Sequence, residues 1–115
     1  MDETQMLLTA WAAVTETKGE KPLLLDLREL TVITDYFLIA SGRNAVHLQA
    51  LADAVLEKLE EQGVTPKRIE GYREGRWILL DYGFLVVHLM TPEDREFYRL
   101  EQLWHGAKST TPTLA

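Results

Sequence analysis

Arg76-Trp77-Ile78-Leu79-Leu80-Asp81-Tyr82-Gly83-Phe84-Leu85-Val86-Val87-His88-Leu89-Met90 is the stretch that decides the fold. Trp77 to Leu80 and Leu85 to Met90 are apolar runs too short for helices. They are separated by Asp81-Tyr82-Gly83-Phe84, where Gly83 supplies the positive φ that a tight turn requires. The segment therefore reads as an antiparallel hairpin. Side chains alternate across a strand, so Trp77 and Leu79 face one way while Ile78 and Leu80 face the other. Both surfaces are apolar and both need cover. Helices packed on one side leave the second for a partner or another copy of the chain, and contiguous exposed apolar area marks an interaction surface.

Outward from the hairpin, Thr91-Pro92-Glu93-Asp94 opens a helix with a cap hydroxyl, a proline at the first helical position and acids at the positive dipole end. Phe97, Leu100 and Trp104 recur at spacings of three and four and predict that helix's apolar face; His105 falls near its end. Towards the N-terminus, Pro66 to Gly71 predicts a brief edge strand around Ile69. Before it, Leu48, Leu51, Ala52, Val55 and Leu59 form the stripe of a helix capped by Asn44 and stopped at Gly63. Tyr36 to Ala40 and Leu23 to Leu27 read as short buried strands. Met6, Leu7, Ala10, Trp11 and Val14 predict an amphipathic helix from Thr4 to about Lys18. Strand, helix and strand from Tyr36 to Gly71 suggest a right-handed parallel crossover. The expectation is an α/β (α+β) domain in the order α-β-β-α-β-β-β-α. It has three main helices on a mixed sheet of about five strands, with residues 1–105 as one domain and 106–115 as a mobile tail.

The chain has 115 residues, 46% of them hydrophobic and 26% charged, which is ordinary for one soluble globular domain. No apolar run reaches the roughly 20 residues of a membrane-spanning helix. The opening Met1-Asp2-Glu3 lacks secretory or transit character, so a cytoplasmic location is expected. Zero cysteines remove disulfides, thiolate metal sites and a cysteine nucleophile. The net charge of −6 and the lack of a basic stripe argue against a dedicated nucleic-acid site and favour a basic protein partner.

Ser41-Gly42, between a strand and a helix, resembles the turn that nucleotidyltransferases place against phosphates. Such enzymes also need carboxylates converging on Mg²⁺. Asp26, Asp35 and Asp81 are the candidates, whereas Asp94-Arg95-Glu96 sits in a first helical turn and serves the dipole. His47, His88 and His105 show no metal-ligand spacing. No nucleophile-elbow pattern supports a hydrolase. No enzyme and no cofactor are expected.

Several motifs in combination resemble the RsfS/Iojap family, the ribosomal silencing factors. They are Thr34-Asp35-Tyr36-Phe37, Ala40-Ser41-Gly42, Glu70-Gly71, Trp77 to Gly83, Val87-His88 and Arg95 to Trp104. The likeness spans nearly the whole chain. It implies a nucleotidyltransferase-like domain without transferase activity that binds ribosomal protein L-fourteen on the large subunit, blocks subunit joining and forms homodimers when free. Carried onto matching positions, it assigns partner binding to Trp77, Leu79, Asp81, Tyr82 and His88, with Tyr98 and Glu101 added from the last helix. Trp77→Ala is expected to weaken partner binding while leaving the melting temperature nearly unchanged. The rival readings are a Mg-dependent nucleotidyltransferase built on Ser41, Asp26, Asp35 or Asp81, and a dimeric scaffold unrelated to ribosomes.

Overall fold

The computed structural model describes residues 2–103 and 108–110. Helix α1 (Glu3–Glu16) starts at Asp2, whose carboxylate accepts from the Gln5 N–H at 2.8 Å. Strands β1 (Glu20–Asp26) and β2 (Tyr36–Ser41) follow. Helix α2 (Ala45–Glu61) is capped as expected, with the Asn44 carboxamide oxygen accepting from the His47 N–H at 2.9 Å. Next come β3 (Arg68–Glu70), β4 (Trp77–Asp81) and β5 (Leu85–Met90). Gly83 turns the hairpin at φ 89°, its N–H donating to Asp81 Oδ1. Helix α3 (Pro92–Tyr98) takes its cap from Thr91, and α4 (Leu100–Leu103) and β6 (Lys108–Thr110) complete the described chain.

The mixed α+β sheet is present, with a strand more than expected. Its order is β3-β4-β5-β2-β1-β6, with β2 and β5 parallel and the other neighbours antiparallel. β2 and β3 do run parallel, but β5 and β4 stand between them, so the crossover through α2 spans the hairpin. The additional strand is β6, whose Lys108–Thr110 pair with β1 at Asp26, Leu25 and Leu24. The last helix needs a correction. It breaks at Arg99, which adopts a left-handed φ of 47°. Phe97 consequently lies 79% exposed instead of in the core, whereas Leu100 turns inward and is buried. The readings placed on Trp104 and His105 fall outside the described residues.

Register assigns each strand residue to a face. Ile78 and Leu80 of β4, Val87 and Leu89 of β5, Leu38 and Ala40 of β2 and Leu24 of β1 bury together with Leu7, Val14, Leu48, Leu51 and Val55 from α1 and α2. This is the main core. His47 fastens its two helices: Nε2 donates to the Thr17 carbonyl (2.9 Å), and Nδ1 accepts from the Arg43 N–H (3.0 Å). On the opposite face a smaller cluster gathers Leu25, Leu27, Ile39 and Met90 under Leu100, with Leu23, Phe37 and Trp77 at its margin. That second face is therefore covered only in part.

Candidate protein-binding face

The half of the second face that α3 and α4 do not reach is built from β4, β5 and β2. Register aligns Asp81, Val86 and Phe37 in one row across these strands, and Leu79, His88 and Ile39 in the next. Leu79, Val86 and Phe37 remain half-buried and wall a shallow depression of about 330 Å³. Thr31, Ile33, Thr34, Lys67, Arg68, Asp81 and Gly83 complete its lining. Charge sits on its rim, where Arg68 Nε lies 3.4 Å from Asp81 and Arg68 Nη1 lies 3.1 Å from Glu70.

Sequence reasoning missed one contribution. The loop between β1 and β2 holds Val32 fully exposed and Ile33 83% exposed, with Leu30 nearly half so. Ile33 joins this apolar loop to the depression. The available signal was three apolar side chains in a segment too irregular for a strand, which burial alone does not explain.

The expected partner residues divide. Leu79 lines the depression half-buried, and Asp81 stands on the rim with its carboxylate shared between the Gly83 N–H and Arg68. His88 lines the depression but is only 4% exposed. Its Nδ1 accepts from Trp77 Nε1 at 3.0 Å, which fixes the neutral ring with its proton on Nε2; that nitrogen has no hydrogen-bond partner among the described residues. Burial pulls the imidazole pKa from 6.5 down to about 4. Phe37 packs edge-on against it with ring centroids 4.5 Å apart. Tyr82 is different: it is 7% exposed in the main core, and burial pushes its phenol up to about 12. It presents almost no surface to a partner. Tyr98 is 45% exposed and lies against Trp77 at 4.8 Å, beside Phe97. The Glu101 side chain falls outside the described residues.

Trp77 is a brace as much as a contact. Half-buried between His88 and Tyr98, it donates to a buried imidazole. Trp77→Ala therefore removes packing and leaves His88 Nδ1 unpaired, and should lower unfolding free energy by about 1 to 2 kcal/mol in urea titration. This replaces the expectation of an unchanged melting temperature. An unchanged unfolding midpoint would restore Trp77 to a purely surface role.

The rival constellation does not assemble. Ser41 pairs with Met90 at one end of β2, while Asp26, Asp35 and Asp81 lie at the other, about 16 Å away along a five-residue strand path. The acids are also divided, because Asp26 pairs with Tyr36 on the main-core face and Asp81 with Val86 on the second. Asp26 is engaged by Arg28 at 2.7 Å. Among the described residues no group of three or more His, Asp or Glu is gathered to hold a metal ion. No helix among them is long and apolar enough to cross a membrane.

Fold and face together define a small α+β domain with one sheet face buried under two helices and the other covered only in part. A family model described as "Ribosomal silencing factor during starvation" matches residues 1–114. The chain belongs to this ribosomal silencing factor family. It is 37% identical over 107 residues to the ribosomal silencing factor RsfS of Halalkalibacterium halodurans, covering 93% of this chain and 92% of that protein. It is 40% identical over 74 residues to the mouse "Mitochondrial assembly of ribosomal large subunit protein 1", covering 62% of this chain but 32% of that longer protein. A crystal structure of a Chromobacterium violaceum protein superposes with a TM-score of 0.88 at 33% identity, covering 100% of this chain and 95% of that one.

Proposed function

We propose that this chain represses translation in the cytoplasm by binding ribosomal protein L-fourteen on the large ribosomal subunit and standing where the small subunit must dock. The observation that carries this reading is the partly covered second sheet face, with Leu79, Val86 and Phe37 lining one depression with the exposed Ile33. In a chain of net charge −6 such a face suits a basic ribosomal protein, with long-range attraction raising the association rate. Family membership supplies the ribosome, and the name of the mouse relative points to the large subunit. The action is steric and needs no cofactor. The same face serves a second copy of the chain when the ribosome is absent, so self-association and ribosome capture compete.

Co-sedimentation tests the mechanism. The purified chain should pellet with isolated large subunits and be lost from them when small subunits are joined first. Equal retention on free and joined large subunits would remove the steric reading, and no retention on either would remove the ribosomal one.

A further inference from the structure

We infer that the cavity at the opposite end of the sheet binds a small phosphate-bearing anion, held by Lys21 and Arg99 above a floor set by Ser41 and Arg95. This cavity, of about 730 Å³, is larger than the depression on the binding face. It lies among the start of β1, the end of β2, helix α3 and the break before α4. In a chain carrying six net negative charges, three cationic side chains line this one hollow.

Backbone conformation gives an independent reason. Lys21 (φ 48°) and Arg99 (φ 47°) are two of the three non-glycine residues with left-handed φ among the described residues, and both line this cavity. Glycine is the unstrained residue at such a position. Cations stand there instead, Arg99 as the left-handed C-cap of α3 with its N–H donating to the Arg95 carbonyl, and both residues line the hollow. The register of β1 against β2 slips between Glu20 and Leu23, which places Lys21 in a bulge at the start of the strand.

The chemistry selects a phosphate. Ser41 is 3% exposed, and its hydroxyl oxygen accepts from Arg95 Nη1 at 3.3 Å, which leaves the hydroxyl proton for an anion. Arg95 Nη1 also reaches the Glu20 carbonyl at 3.3 Å, so Arg95 braces the floor. Glu96 pairs with Arg99 and holds its guanidinium at the rim. Glu96 engages Arg99 Nε and Nη2, so the Nη1 end of the guanidinium, an ammonium and a hydroxyl are the donors offered to the acceptor oxygens of a phosphate group. Glu20 and Glu96 offset two of the three positive charges, which suits one phosphate or pyrophosphate group and makes binding sensitive to salt. This site is separate from the face proposed for the ribosome.

Thermal melting of the full chain tests the site, with pyrophosphate or a nucleoside diphosphate at roughly 10 mM against sodium chloride of equal ionic strength. A rise of about 5 °C is expected. A rise with either ligand supports the site, and the larger response identifies the source of the phosphate. The Lys21→Gly/Arg99→Gly double variant relieves both left-handed positions while removing both charges. It should melt no lower than the parent chain and lose the response, whereas Leu79→Glu should keep it. No rise in the parent chain, or an undiminished rise in the double glycine variant, would overturn the inference.

Discussion

Leu79→Glu is expected to weaken capture of the ribosomal partner by about a hundredfold or more, while shifting the melting temperature by no more than about 3 °C. Leu79 is half-buried and lines the shallow depression, so a carboxylate there reaches water in the free chain. In the complex it would be stripped of water against apolar surface without a designated partner, and desolvation of an unpaired charge is the larger effect. Leu80, the next residue, is fully buried in the main core under the helices. Leu80→Ala should cost about 2 to 5 kcal/mol through the cavity it leaves, lowering the melting temperature by roughly 10 °C or more. The partner should still be captured at temperatures where this variant remains folded. Quantitative pull-down and melting curves on both variants decide the matter. If Leu79→Glu melts as low as Leu80→Ala, the second face is closed core and the binding proposal falls.

Acid should destabilise the chain through His88. Its imidazole is neutral in the folded state, with a pKa lowered to about 4 by burial from an unfolded value of 6.5. Between those values the unfolded chain binds the proton and the folded chain does not. The contribution is therefore fully present above about pH 6.5 and is lost progressively as the pH falls towards 4, by up to about 3 kcal/mol. Urea unfolding at pH 7 and pH 4.5 measures the difference. His88→Phe removes the titrating group and should flatten this part of the profile, although it lowers stability at both values because Trp77 Nε1 loses its acceptor. An equally steep loss in His88→Phe would show that other groups carry the acid sensitivity.

The hairpin, α2 and the helix starts were legible because their causes are local. Asn44 and Thr91 satisfy N–H groups three residues ahead, and Gly83 supplies its own turn geometry. The site was half legible. Alternation along Trp77 to Leu80 divides the strand into two faces but is silent on which face receives helices. Tyr82 was misplaced because a turn residue has no fixed face, and only packing shows that its ring enters the main core. Val32 and Ile33 lie in a loop with no period to read.

By itself, the sequence determined five of the six described strands, the two long helices, the Asn44 and Thr91 caps and an apolar surplus too large for one layer of cover. These follow from spacing and from bonds between residues close along the chain. Tertiary structure alone decided that β2 lies beside β5, that the last helix breaks at Arg99 to put Leu100 against the second face, and that Leu79 stays half-buried while Leu80 is sealed. Nothing between Arg95 and Leu103 is a glycine or proline to announce that break. Burial energy depends on which distant surfaces meet, and that pairing is a property of the whole packed chain.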